Sequence, residues 1–345
     1  MPVRHRRRLG AKHLVLIALL ALLGSAGTFV AVTGSASAHP DPSSGAASPD
    51  GGHAHAGPSA ADFADIRTAR PAPRDPRNGP DASTGSFTAR CGRNENGHRN
   101  PDNFIVTPGV TNGAHHLHDY VGNRSTDAFS TDDSLRAAGT TCAQGDKSAY
   151  FWPVLRVLNR SAEGHGASDR ANPGRVLTAD SVALTFRGSP AARVGAMPDA
   201  LRVITGDAKA LTNGTANARA RWTCTGFTDR AFTDRYPLCP SGSRVVRLLD
   251  FPSCWDGRHT DSADHRSHIG FPDASTGRCP RGRTPVPQLR MTLTYSVPPG
   301  PVYAVDSFPE ELRAPVTDHA DFENVMPRAL MATAVRCINT GRRCG

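Results

Sequence analysis

Eight cysteines constrain this 345-residue chain more strongly than any other feature of its sequence. All eight lie beyond residue 90, after the segment that predicts export, and an even number of cysteines in an exported chain favours disulfides over zinc. The sequence contains no C-x-x-C pair of the zinc-ribbon type. Joining each cysteine to its neighbour along the chain predicts four disulfides, Cys91–Cys142, Cys224–Cys239, Cys254–Cys279 and Cys337–Cys344.

Residues 1–38 have the pattern of a signal peptide. Four arginines and a lysine precede an apolar run over Leu14–Leu23, and Ala36-Ser37-Ala38 supplies a cleavage motif. The apolar stretch continues weakly to Val32, so a retained membrane anchor is the alternative, which the usual length of a membrane span disfavours. We therefore expect a secreted, extracellular protein, cleaved near Ala38, with no stable membrane anchor.

The net charge changes the expected partners once the signal peptide is removed. The full chain carries +9, and the five basic residues of residues 1–38 reduce this to +4 for the mature chain. Much of the basicity is therefore a targeting feature, and we expect no nucleic-acid partner. A mildly basic exported protein suits an extracellular glycan or a cell-wall polymer.

The composition and the periodicity divide the remainder of the chain into two parts. Residues 39–84 are rich in Pro, Gly, Ala and Ser and predict a disordered linker. Residues 85–345 predict a single domain, with alternating strands over Ser181–Gly188 and Gln288–Val297 and a helix that begins near Pro327. The predicted fold is mainly β, a β-sandwich or jelly-roll-like core with long loops, few helices and one helix near the C-terminus.

Three segments concentrate histidine and aspartate: Phe251–Pro272, His115–Asn123 and Asp318–Phe322. In the second, His116-Leu117-His118 places both imidazoles on one face of a strand, because side chains of a strand alternate between its faces. His319 and Asp321 repeat that spacing. We treat the three segments as one site, and its expected catalytic residues are His116, His118, Asp264, His265, His268, His319 and Asp321.

Three interpretations of this site remain open. In the first, the H-x-H pair and one further histidine, His268 or His319, bind a divalent metal ion, and Asp321 is a ligand or a base. In the second, a histidine and an aspartate act as general acid and base without a metal. In the third, these side chains only satisfy backbone groups of loops.

Other residues are expected to support this chemistry. His265 and Asp264 are assigned to a shell around the ligands. Asp119 follows the H-x-H pair and is placed to orient a ring or contact substrate, and Trp255 and Asp256 combine an aromatic face with a carboxylate, as sugar-binding sites do.

The order of these motifs resembles a secreted bacterial and fungal family catalogued as a domain of unknown function, DUF1996. The segments that carry the resemblance are FIVTPG (104–109), HLHDYVG (116–122), YFWPVL (150–155), CWDG with DSADHRSHIGFP (254–272), CPRGRTPVPQL (279–289) and HADF (319–322). Members often have CPxxHP where this chain has Cys279-Pro280-Arg281-Gly282-Arg283-Thr284-Pro285, so that turn is left out of the site. The resemblance implies export and disulfides, and the carbohydrate-binding WSC modules of some fungal members imply a glycan ligand.

Two functional classes follow from these observations. The first is a carbohydrate-active enzyme, a glycoside hydrolase or polysaccharide lyase that acts on extracellular or cell-wall glycans through the His/Asp site. The alternative is a non-catalytic protein that binds a glycan or the cell wall.

The export segment generates a testable prediction. Cleavage after Ala38 leaves His39 as the first residue of the secreted chain. Intact-mass measurement of protein recovered from culture medium should therefore show the loss of residues 1–38. A secreted mass that includes the apolar run would instead identify a retained segment.

Overall fold

The computed structural model describes residues 57–158 and 172–345. The predicted signal peptide and residues 39–56 of the predicted linker lie outside the described residues. Within the described ranges the chain forms nineteen strands and three α-helices, which confirms the mainly β prediction.

The strands and helices are given in chain order. The strands are β1 (Phe63–Asp65), β2 (Ser86–Ala89), β3 (Arg99–Asn100), β4 (His118–Gly122), β5 (Ala149–Pro153), β6 (Leu155–Val157), β7 (Arg175–Leu177), β8 (Ser181–Arg187), β9 (Leu201–Gly206), β10 (Arg221–Cys224), β11 (Tyr236–Leu238), β12 (Val245–Asp250), β13 (Cys254–Trp255), β14 (Ile269–Gly270), β15 (Thr284–Pro285), β16 (Gln288–Tyr295), β17 (Tyr303–Val305), β18 (His319–Asn324) and β19 (Arg343–Cys344). The helices are α1 (Asp132–Ala137), α2 (Ala210–Asn213) and α3 (Arg328–Asn339).

Two larger sheets form the body of the fold. The six-stranded sheet has the order β10-β12-β16-β8-β2-β19, and the five-stranded sheet has the order β3-β4-β5-β18-β9. Neighbouring strands in both sheets are antiparallel, except that β19 runs parallel to β2. Three small sheets, β1-β11, β14-β13-β15 and β17-β6-β7, complete the architecture.

The core lies between the two larger sheets. Strand β16 alternates as predicted, so that its odd-numbered residues from Leu289 to Tyr295 are fully buried while Gln288 and Arg290 are only partly buried. From the five-stranded sheet, the indole N–H of Trp152 donates to the Tyr295 hydroxyl at 3.2 Å, and the ring of Phe322 lies 5.9 Å from that of Phe186 on β8. The predicted β-sandwich is confirmed.

The C-terminal helix also matches its prediction. Helix α3 begins directly after Pro327, and its buried side chains Met331, Ala334 and Ile338 face the core at helical spacing. The helix packs against β2 and β8 at the end of the six-stranded sheet.

The predicted boundary at residue 85 is wrong, because the ordered structure begins earlier. Strand β1 pairs in parallel with β11, and Phe63 and Ile66 are buried against the domain. Two apolar residues in a segment otherwise rich in Pro and Ala are enough to attach it, since each removes its side chain from water.

All four predicted disulfides are present. Cysteines pair with their neighbours along the chain, with sequence separations of 51, 15, 25 and 7 residues. Four disulfides are typical of extracellular proteins. No helix among the described residues is both long and apolar enough to cross a membrane.

A buried ion pair joins the two larger sheets. Arg247 projects inward from β12, and its guanidinium contacts the carboxylate of Asp318, with Nε at 3.0 Å from Oδ2. Both side chains are 0% exposed. Burial alone would lower the pKa of Arg247, but the Asp318 carboxylate outweighs burial and raises that pKa, so the pair is ionised.

We expect Arg247→Met to lower the free energy of unfolding by about 3–5 kcal/mol, because it leaves the Asp318 carboxylate buried without its cation. Arg244→Met is the matched control, since Arg244 is half exposed and its contact with Asp180 is 3.6 Å long. That control should change stability by less than about 1 kcal/mol. Urea unfolding with the disulfides intact measures both values, and equal losses would contradict a special role for the buried pair.

Candidate functional site

Three histidines converge on the face of the five-stranded sheet that is turned away from the core. The Nε2 atom of His116 lies 3.1 Å from Nε2 of His118 and 3.2 Å from Nε2 of His319. We call His116, His118 and His319 the histidine tripod. Its side chains are buried, with residue exposures of 3%, 0% and 4% in that order.

Strand geometry explains why these residues meet. His118 begins β4 and His319 begins β18, and both strands pair with β5 from opposite sides. His116 lies two residues before His118 and therefore points to the same side of the extended chain. The H-x-H and H-x-D spacings thus placed their side chains as the sequence predicted.

Backbone carbonyls hold two of the rings with their Nε2 atoms facing the centre. Nδ1 of His118 lies 3.0 Å from the carbonyl oxygen of Asp102, and Nδ1 of His319 lies 2.9 Å from that of Thr317. A carbonyl only accepts, so both Nδ1 atoms carry the proton and both Nε2 atoms present a lone pair. Nδ1 of His116 is buried beside the backbone of Ala114, with no partner in hydrogen-bond geometry.

The donor set fits a divalent metal ion. A tetrahedral ion with bonds to nitrogen of about 2.0–2.1 Å has its ligand atoms about 3.3 Å apart, close to the two short separations in the tripod. Without an ion, one Nε2 proton of His116 cannot satisfy both facing lone pairs at once. An ion would accept all three lone pairs and leave its remaining position for water or substrate.

The electrostatics of the tripod also favour a ligand role. Burial, followed by repulsion from the neighbouring imidazoles, holds the pKa of His116 and of His118 well below its usual value. Burial likewise lowers the pKa of His319. The three rings are therefore neutral at physiological pH, which is the protonation state that binds metals.

Asp321 lies two residues beyond His319 and on the same face of β18. It is fully buried, and neither carboxylate oxygen has a partner in normal hydrogen-bond geometry. Burial raises its pKa to about 7, while Asn103 and then Arg266 oppose that rise. A buried carboxyl group two residues from His319 on the same strand face, with a pKa of about 7, suits acid–base chemistry.

Three neighbouring side chains, those of Phe308, Lys209 and Arg266, complete the surroundings of the tripod. The Phe308 ring packs edge-on against the His116 ring, with ring centroids 5.3 Å apart. Nζ of Lys209 lies over the Phe308 ring, 4.7 Å from its centroid. Arg266 donates to the carbonyl oxygen of Gly206 at 2.8 Å, and Gly206 pairs with His319. Arg266 is thus the residue through which the Phe251–Pro272 segment reaches this site.

His268 does not join the cluster, contrary to the prediction. Its Nδ1 bonds the Ser262 hydroxyl at 2.9 Å, and its Nε2 bonds the backbone carbonyl of Arg202 at 2.7 Å. Arg202 pairs with Glu323, four residues along β18 from His319, or about 13 Å at the usual rise of a strand. Nδ1 is occupied within the loop and Nε2 joins the loop to β9, so no lone pair remains for an ion.

The prediction that Asp119 contacts substrate is also wrong. It alternates to the face of β4 opposite His118, where it is 1% exposed. Its carboxylate accepts from Arg99 Nε at 2.6 Å and from the Asn94 amide at 2.7 Å. Because Asp119 directly follows His118 on a strand, its side chain points into the interior and away from the tripod.

The remaining predicted residues lie in the loop and bond within it. His265 contacts Asp261 at 3.0 Å, and Asp264 accepts from the backbone of Arg266 and Ser267. These contacts organise the turn that carries Arg266. The loop residues stay apart from the tripod itself.

Trp255 and Asp256 form a second local group in the same loop. The Trp255 indole donates to the carbonyl oxygen of His259 at 2.6 Å, and Asp256 accepts from His259 Nδ1 at 2.7 Å. Both side chains are partly exposed, so their predicted contact with substrate stays a prediction.

Sequence reasoning missed Asn103, Phe308 and Arg266. The first two carry no pattern that distinguishes them from other loop residues. Arg266 lies within the DSADHRSH run, but one arginine among histidines and aspartates has no spacing that marks it as a site residue.

A protein-family model described as "Domain of unknown function (DUF1996)" matches residues 103–324, which contain the whole tripod and Asp321. No curated protein and no solved structure gives a significant match to the chain.

We expect the purified protein to hold one divalent transition-metal ion per chain, measured by elemental mass spectrometry after dialysis against zinc. His118→Ala and His319→Ala should reduce this to below about one tenth, because two imidazoles no longer define a site. His259→Ala is the control, since that side chain is 66% exposed and lies outside the tripod.

Metal removal provides an independent measurement. An ion at 100 times its dissociation constant adds about 2.7 kcal/mol, so the reloaded protein should melt roughly 5 °C or more above the metal-free protein. Equal melting temperatures, with less than a tenth of an ion bound after dialysis, would contradict the metal assignment.

Proposed function

The chain belongs to the DUF1996 family of domains of unknown function, and we propose that it is a secreted, metal-dependent enzyme that cleaves an extracellular or cell-wall glycan. One observation carries the proposal. Three buried imidazoles present their Nε2 atoms to a common point, with the carboxyl group of Asp321 two residues further along the same strand face.

The residues divide into distinct roles under this proposal. His116, His118 and His319 would hold a divalent ion, which would supply Lewis-acid activation of water or of a substrate oxygen. Asp321 moves the proton. In a hydrolase it takes the proton from the attacking water and passes it to the sugar oxygen that leaves as the glycosidic bond breaks. In a lyase it takes the proton from the sugar carbon beside the carboxylate, a carbon–carbon double bond forms, and the departing glycosidic oxygen receives the proton.

Arg266 supplies the positive charge near Asp321. Its charge opposes, after the Asn103 side chain, the rise in the pKa of the Asp321 carboxyl group that burial causes. A guanidinium presents a planar fork that matches a carboxylate. Arg266 is therefore suited to orient an acidic sugar, which supports a charged glycan as substrate.

A second candidate is a non-catalytic glycan-binding protein in which the ion is structural. The low exposure of the tripod favours it, because residues that are 0–4% exposed leave little access for a polymer. Catalytic metal sites keep an open position, whereas structural sites are closed by the protein.

We expect Asp321→Asn to lower the rate of glycan cleavage by about 100-fold or more, since a positioned acid or base contributes 10²–10⁴ in rate. The assay incubates zinc-loaded protein with neutral and acidic polysaccharides and follows new reducing ends and unsaturated products. Asp229→Asn is the control, because the Asp229 carboxylate is 66% exposed, pairs with Arg230 and belongs to neither the tripod nor the loop that carries Arg266, so it should leave the rate unchanged.

The same panel separates the two candidates. Loss of activity on metal removal, with recovery on adding zinc, is expected of the enzyme. Retention of a polysaccharide by the loaded protein, with no product from any member of the panel, would favour the non-catalytic candidate.

A further inference from the structure

A large cleft lies on the outer face of the six-stranded sheet, separate from the tripod on the five-stranded sheet. Its cavity volume is about 950 Å³. Six arginines and three aspartates line it, which leaves three positive charges. The arginines are Arg74, Arg187, Arg219, Arg221, Arg290 and Arg343. We call this surface the arginine cleft.

One aspartate organises the centre of the arginine cleft. The Asp250 carboxylate accepts from Arg187 at 3.0 Å, from Arg221 at 2.6 Å and from Arg290 at 2.5 and 2.7 Å. Three guanidinium groups share this carboxylate, and Asp75, which also lines the cleft, is a second carboxylate that acts on Arg187 and Arg290, so one positive charge among the three arginines remains. The carboxylate holds the guanidinium groups in place without neutralising them.

Strand register brings these residues together from distant parts of the sequence. Asp250 on β12 is paired with Arg290 on β16, and Gln288 on β16 is paired with Arg187 on β8. Directly paired residues point to the same face of a sheet. Because the opposite face forms the core, all of these polar side chains project into the cleft.

The arginines also have unused capacity to donate hydrogen bonds. Nε of Arg187 is buried and has no hydrogen-bond partner. Burial lowers the pKa of Arg187; Asp250 and Asp75 oppose that fall, whereas the positive charges of Arg290 and Arg221 add to it. An anion in the cleft would accept the free N–H group and relieve that repulsion.

We propose that the arginine cleft binds the carboxylate groups of an acidic extracellular polysaccharide. Guanidinium groups match carboxylates with two parallel hydrogen bonds, and a cleft of this volume accommodates several sugar units. Hydroxyl and amide groups stand between the arginines and suit sugar hydroxyls; they belong to Thr84, Ser86, Thr185, Thr233 and Gln288.

The lining favours a glycan over a nucleic acid. Proteins that bind single-stranded nucleic acid stack successive bases on several aromatic rings. Among the residues that line the cleft, Phe271 is the single aromatic ring, and the guanidinium of Arg219 covers it at 5.2 Å from the ring centroid. A row of stacking surfaces is therefore absent from this lining.

The test measures binding of the full-length protein to hexagalacturonate, with maltohexaose as the uncharged sugar of equal length. We expect binding to hexagalacturonate alone, weakening as ionic strength rises. The double variant Arg219→Gln, Arg343→Gln should bind about tenfold more weakly. Both residues are exposed at the cleft and neither pairs with Asp250, so the central network stays intact.

Controls separate this proposal from the metal site and from general basicity. Arg281→Gln removes an exposed arginine that does not line the cleft and should leave the affinity unchanged. Protein stripped of metal, and the His118→Ala variant, should bind hexagalacturonate as the unaltered protein does, whether or not the tripod is catalytic. Loss of binding in those two would place the sugar at the tripod instead.

Three results would overturn the proposal. The first is equal affinity for maltohexaose and hexagalacturonate, and the second is an equal effect of Arg281→Gln and the double variant. The third is tighter binding of polyphosphate or single-stranded DNA than of hexagalacturonate, which would assign the cleft to a phosphate polymer.

Discussion

The buried ion pair between Arg247 and Asp318 is the interaction on which the rest of the arrangement depends. Arg247 extends from β12 of one sheet, contacts Asp318 at the start of β18 in the other, and donates to the Pro153 carbonyl at 2.9 Å. A buried pair adds little net stability compared with apolar side chains, but separating its partners is strongly unfavourable. The pair therefore opposes sliding of one sheet over the other, and it fixes the position of His319, which follows Asp318 directly.

The five-stranded sheet has two faces of different character. One face carries Trp152, Phe322 and other apolar side chains into the main core, and the opposite face carries the tripod and Asp321 beside a smaller apolar cluster that includes Phe151. Burying several polar groups separately leaves unsatisfied interactions that cost about 1–3 kcal/mol each. A single bound ion would satisfy three of them together. This is the physical reason to interpret the tripod as a metal site and not as a set of independent loop contacts.

The segment Phe251–Pro272 connects the two candidate sites. It leaves β12 directly after Asp250, reaches the tripod through Arg266, and returns so that Phe271 and Pro272 line the arginine cleft. Its many histidines and aspartates bond mainly to one another and to β9, which holds the long connection in one conformation. The many titratable residues of this segment therefore serve to hold the loop together as well as to reach the two candidate sites.

Local spacing allowed several features to be predicted from the sequence. Alternation with a period of two identified the inner face of β16, and H-x-H and H-x-D each placed two side chains on one side of an extended chain. Pairing along the chain identified all four disulfides, because each closes a loop of 51 residues or fewer. Only the tertiary structure decided which histidines meet, since His116 and His319 are 203 residues apart and both ring nitrogens of His268 are occupied, Nδ1 by Ser262 of its own loop and Nε2 by the Arg202 carbonyl on β9. The tertiary structure also determined the arginine cleft, because its central arginines lie on different strands that pair in the sheet. Side-chain alternation is a property of a few consecutive residues, whereas strand pairing and loop docking depend on contacts between distant segments.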